Sequence, residues 1–231
     1  KEVIDIAVKY NGYFLQGIGY TMLIALAGTL IGLVIGLITG IIRTIPTSKN
    51  AFVRALLKVV NFIISAYVEI FRGTPMMVQS MVIFWGYAFM NDGQTLPLIP
   101  AGIFIVSINT GAYMAEIVRG GLNSISKGQF EAAQSQGFSF IQTLWYIILP
   151  QTYRKIIPAL LSQVITVIKD TSFLKMVDVA EFMRNCAVVM GSIYDVHGMI
   201  MLIGFEALCY FVICFALSCI VRSYQKTIVT A

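Results

Sequence analysis

Residues 17–42 read GIGYTMLIALAGTLIGLVIGLITGII, 26 positions without a single charge. As a helix rising 1.5 Å per residue this stretch is ~39 Å long, more than the ~30 Å hydrocarbon layer of a bilayer. A secretory signal is shorter and ends at a small-residue cleavage site, whereas this run is long, rich in glycine and leads into a basic loop, so it is read as a retained span. The whole chain agrees: 58% of its 231 residues are hydrophobic and 12% are charged, against roughly 25% charged in soluble domains. Gly28, Gly32, Gly36 and Gly40 fall four apart, which lays one ridge of glycine along the helix and lets another helix approach closely.

Working outward, apolar runs between charges place further spans at 56–89, 101–118, 156–174 and 198–221, five in all. The fold class expected is an all-α integral membrane protein, with residues 1–231 forming a single transmembrane domain. The 56–89 run would rise ~51 Å as one helix, too long for a straight crossing. It contains Thr74-Pro75, where proline removes a backbone donor and disfavours helix at the residue before it, so a kink or break is expected there. The segment ahead of it, with Arg54 and Lys58, is expected near the cytoplasmic surface.

Lysine and arginine in the connections set orientation. With the N-terminus outside, cytoplasmic segments hold Arg43, Lys49, Arg54, Lys58, Arg119, Lys127, Arg154, Lys155, Arg222 and Lys226, and external ones hold Lys1, Lys9, Lys169, Lys175 and Arg184. Ten against five favours an external N-terminus and a cytoplasmic C-terminus. The net charge of +5 is explained by these loops and calls for no nucleic acid.

Catalytic inventory is thin. His197 is the sole histidine, and no H-E-x-x-H set, nucleophile motif or phosphate-binding G-x-x-x-x-G-K-[ST] loop occurs. The four cysteines lack ligand spacing, three of them lying in one apolar run. No catalytic site, metal or cofactor is expected on this chain. A channel or secondary transporter working without an ATPase is the alternative, but five spans do not divide into the equal repeats many such proteins use.

Between the third and fourth spans, residues 120–155 are patterned. Glu131-Ala132-Ala133 is followed after three residues by Gly137, and after nine more by Ile147-Ile148-Leu149-Pro150. Glu-Ala-Ala ahead of a glycine suits a short helix stopped at a turn, and Phe138, Ile141, Leu144 and Trp145 recur at helical spacing. Two short cytoplasmic helices are expected. They suit either a projection for a soluble partner or an amphipathic hairpin on the lipid surface.

The order and spacing of these elements resemble the EAA loop of ABC importer permeases. Glu69-Ile70-Phe71-Arg72-Gly73-Thr74-Pro75, the segment 115–121 and Lys169-Asp170-Thr171-Ser172 are similar to stretches of the polar amino acid permeases, of histidine, glutamine and arginine type. The resemblance implies the fold of a type I importer permease in a bacterial cell membrane, translocating a polar or charged amino acid. It implies that Glu131, Ala132, Ala133, Gly137, Leu149 and Pro150 couple to the ATPase. It further implies two ATP-binding subunits that carry ATP and magnesium, a second permease, an external substrate-binding protein and surrounding lipid.

Ionisable groups at membrane depth are costly and usually face a bundle interior or a watery cavity. Asp170, Thr171, Gln79 and Asn109 are assigned to the substrate path, with Ser172 in their company. Glu69, Arg72 and Glu116, near the inner ends of their spans, are assigned to a salt bridge that closes the cytoplasmic end. Glu206, alone in the last span, suits pairing with Lys169, substrate contact or a neighbouring hydrogen bond.

Overall fold

The computed structural model describes residues 2–230, with side chains from 4 to 225; Lys1 and the side chain of Lys226, used in the charge count, lie outside the described residues. A short α1 (Glu2–Lys9) leads into α2 (Asn11–Ile42), which carries the charge-free stretch. The chain continues through α3 (Ala51–Gly73), α4 (Met76–Met90) and α5 (Leu98–Asn123) to α6 (Lys127–Ser135). After α7 (Phe140–Thr143), a π-helical turn (Leu144–Ile148) joins α8 (Leu149–Asp170), which runs on as a 3₁₀ segment (Thr171–Val177). The last helices are α9 (Phe182–Met190) and α10 (Val196–Thr230). Among the described residues, five helices are long and apolar enough to cross a membrane: 11–42, 51–73, 98–123, 140–177 and 196–225.

Helix α5 is the centre. Its spanning window is 61% buried, against 6% for α3 and for α10. The glycine ridge of α2 packs on it in register, Gly28, Gly32, Gly36 and Gly40 lying against Val106, Thr110, Met114 and Val118. Both series step by four and rise together, so α2 and α5 run in the same direction. The approach leaves no room for a side chain: a Cβ on Gly36 would stand 2.5 Å from Met114 Cβ and 2.9 Å from the Ala115 amide.

The expected 56–89 span is two helices. At the junction Thr74 is extended (φ −122°, ψ 149°) and Pro75 precedes the first residue of α4. Proline cannot supply the amide that would bond the Phe71 carbonyl one turn back. Gln79 supplies it instead: its Nε2 donates to the Phe71 carbonyl at 2.9 Å and to the Thr74 carbonyl at 2.9 Å. The break is thus a hydrogen-bonded feature and not a loosened helix.

The loop between α5 and α8 differs from expectation in one respect. Its first helix, α6, is separate and ends at Gly137, whose φ of +83° belongs to the left-handed region. Its second is not. Ser139 and Gln142 form a capping box that starts a helix at Phe140, and this helix continues through the π turn and Pro150 into the membrane. Pro150 is the second residue of α8, directly after the π turn, and the helical run passes through it. Its own ring therefore does not end the helix, and Leu149 and Pro150 belong to the base of the span.

Candidate functional site

The intramembrane polar residues separate into three places along the bundle. Toward the C-terminal end of α5, Glu116 is the hub. One carboxylate oxygen is paired with Arg43, which follows the last turn of α2, and the other accepts from Arg119 Nη2 at 2.7 Å. Arg72, at the end of α3, approaches only to 3.9 Å and lies over the Tyr113 ring. Three guanidinium groups share one carboxylate, so the cluster keeps an excess of positive charge. Arg72 and Glu116 are brought together as the sequence suggested, but Glu69 is exposed and has no ion-pair partner among the described residues. The long-range partner, Arg43, was missed because 73 residues separate it from Glu116. Its only sequence signal is its place as the first charge after the first span.

Midway, Gln79 and Asn109 are both buried, and Asn109 Nδ2 donates to Gln79 Oε1 at 2.8 Å. The Gln79 amide nitrogen also reaches the Thr74 hydroxyl oxygen at 2.8 Å. Tyr67 donates its hydroxyl to the Ile108 carbonyl at 2.6 Å and ties α3 to the same turn of α5. These side chains are occupied in holding the break, which leaves little of the Gln79 amide for a solute.

At the far end of α8 the chain tightens into the 3₁₀ segment. Side chains three apart eclipse in such a helix. Ser172 and Lys175 therefore stack, and Lys169 in the preceding turn extends the column. The column faces Glu206 and Tyr210, one helical turn apart on α10, across a cavity of about 490 Å³ floored by Met183 of α9. Ser172 and Glu206 thus share a cavity. Thr171 does not line it: it is fully buried and its hydroxyl donates to the Ile168 carbonyl at 2.7 Å. Asp170 is half-buried beside this segment and does not line the cavity either.

Bonded to Tyr210 of the cavity wall is Glu181, in the connection between the last two spans. It is fully buried, caps α9 by accepting from the Met183 and Arg184 amides at 2.9 and 2.7 Å, and accepts from the Tyr210 hydroxyl at 3.3 Å. Burial pushes its carboxyl up to about 7, against the opposing pull of the two amides. Sequence reasoning passed over it because its local pattern is that of an ordinary helix cap.

The opposite end carries the projection. Glu131 and Ala132 are exposed, Ala133 is buried as the anchor of α6, and Gly137 is open on all sides. Ile141, Trp145 and Tyr146 are 74%, 66% and 67% exposed on the adjoining helix. Such an apolar face on a firmly held element suits contact with another surface. It stands on α5 and α8, beside the Glu116 cluster: Val118, Leu122, Ile148 and Ile156 form one buried group at its base.

Comparison with known proteins agrees with this layout. Residues 51–229 match the family described as binding-protein-dependent transport system inner membrane component. The L-cystine transport system permease protein TcyB of Bacillus subtilis (strain 168) is 37% identical over 72% of this chain and 70% of its own. A probable amino-acid ABC transporter permease protein, YckA, of the same organism is 34% identical over 90% of this chain and 86% of its own. A crystal structure of an amino acid ABC transporter with histidines superposes with a TM-score of 0.82 at 28% identity, covering 95% of this chain and 96% of that one. By sequence over most of its length and by fold, this membrane chain belongs to the inner membrane components of binding-protein-dependent transport systems, the type I ABC importer permeases.

Proposed function

We propose that this chain is the membrane-spanning subunit of an ATP-binding-cassette importer for a polar or charged amino acid. Two ATPase subunits, which bind ATP and magnesium, drive it; a second permease completes the translocation path; and an external binding protein delivers substrate. The observation that carries this reading is the placement of two features at opposite ends of one continuous helical run. The run of α7, the π turn and α8 begins just after the exposed Gly137 turn and ends at the charged cavity beside Lys169 and Glu206. A push on the projection would therefore be transmitted along a continuous element.

In this reading the N-terminus is external and the projection cytoplasmic, as the basic residues of the connections favour. The Glu116 cluster lies beside the projection and closes the inner end, while Ser172 and Glu206 meet the solute first. Asp170 and Thr171 shape the column from behind. Co-purification with the ATPase, followed by uptake into proteoliposomes, tests the reading. Uptake that requires ATP supports it; uptake that proceeds without any ATPase subunit would establish the secondary-transporter alternative.

A further inference from the structure

We infer, building on the amino-acid importer reading above, that the cavity between the 3₁₀ segment and α10 selects an acidic amino acid, one with a second carboxylate. Its charged lining is unbalanced. Lys169 and Lys175 present two ammonium groups, while Glu206 presents one carboxylate. Helix α9 contributes no ionisable side chain to the wall, Glu181 is occupied by two backbone amides and Tyr210, and Asp170, half-buried next to Lys169, stands off the wall.

The imbalance follows from local geometry. In a continuing α-helix, Lys175 would lie 600° around the axis from Lys169, on a different face. The tightening at Thr171 to the 3₁₀ repeat brings Lys175 under Ser172 and in line with Lys169. A zwitterionic amino acid uses one carboxylate of the wall for its ammonium and one lysine for its α-carboxylate. One lysine then remains. A side-chain carboxylate completes it with a charge-assisted bond, a carboxamide does so more weakly, and a basic side chain is repelled. The cavity of about 490 Å³ falls within the range of small-molecule sites.

The test is direct binding to the purified permease–ATPase complex without its external receptor, so that receptor selectivity does not intervene. L-glutamate, L-aspartate, L-glutamine, L-arginine and L-cystine are titrated under identical salt. Glutamate or aspartate should bind at least about 10-fold more tightly than glutamine. Lys175→Met should bring that ratio close to one, and Lys175→Arg should keep it, with ATPase retention on the column reporting that both variants are folded. Equal or tighter binding of glutamine, arginine or cystine, or a ratio unmoved by Lys175→Met, overturns the inference. ATP-dependent uptake of one of those other amino acids would leave the importer reading standing, whereas no ATP-dependent uptake of any amino acid would remove both.

Discussion

Asn109 on α5 donates a 2.8 Å hydrogen bond to Gln79 on α4, and the same glutamine donates to the Phe71 carbonyl that Pro75 leaves without a helical partner. One side chain therefore closes the backbone gap of a broken helix and anchors that break to the central helix. Position and stability are combined in a single residue at the middle of the bundle.

Gln79→Leu should destabilise the protein by about 1–3 kcal/mol, because it strands the half-buried Phe71 carbonyl and the buried Asn109 amide without partners. Thermal unfolding in detergent measures this. A midpoint equal to that of the unaltered protein would show that the break is held by packing alone.

The glycine ridge makes a second, independent case. Gly36→Ala places a methyl 2.5 Å from Met114 Cβ and close to backbone, so α2 and α5 must separate, at a cost of about 1–3 kcal/mol. Gly19→Ala is the control, with nothing within 4 Å of the added carbon. Similar melting of the two variants would contradict the packing described here.

Glu116→Gln leaves Arg43, Arg72 and Arg119 without their shared anion. Mutual repulsion should then open the inner end, lowering ATP-driven uptake several-fold and destabilising the protein by about 1–3 kcal/mol. Glu69→Gln, at an exposed and unpaired position, should have little effect on either measurement. Equal effects of the two changes would remove Glu116 from the closing role.

Glu181 sets a pH dependence. Its carboxyl is raised to about 7 in the folded protein by burial, so the folded state holds its proton more tightly than the unfolded chain does. The stabilising effect is fully present below the ordinary carboxyl range and is lost as pH rises from about 4.5 through about 7, amounting to on the order of 3 kcal/mol. Melting of the unaltered protein should fall across that window, and Glu181→Gln should flatten the fall. A profile that rises with pH, or one unchanged by the substitution, contradicts this account.

Much of the architecture was legible because membrane burial writes itself into composition. The charge-free stretch, the four-residue glycine period and Thr74-Pro75 each act through local sterics, and each lies where the fold uses it. Contacts between distant segments left weaker traces. Arg43 meets Glu116 only because the glycine ridge brings α2 against α5, and no spacing within either segment announces that pair. The column of Lys169, Ser172 and Lys175 depends on a change from α to 3₁₀ repeat, which hydropathy does not register. Likewise Gln79 and Asn109, chosen as intramembrane polar groups, turned out to be bonded to one another and to a proline-made gap, a use that only three-dimensional proximity reveals.

The projection offers the most direct test of coupling. Gly137 adopts φ +83°, a conformation that branched side chains strongly resist, yet nothing lies within 4 Å of a carbon added there. Its demand is thus conformational and not spatial. Gly137→Val should distort the turn between α6 and α7, whereas Gly137→Asn, which tolerates the left-handed region, should be much milder. A bulky change at the exposed Gln134 should matter less than either, since it leaves the backbone alone. Because the turn sits outside the membrane and buries little, the overall melting midpoint should move slightly while the geometry of Ile141, Trp145 and Tyr146 relative to α6 is lost. Retention of the ATPase on purification and ATP-dependent uptake, at matched membrane expression, should then fall together for Gly137→Val and recover in Gly137→Asn. If Gly137→Val keeps its partner and its transport rate, force does not pass through this turn, and the projection rests on the lipid surface.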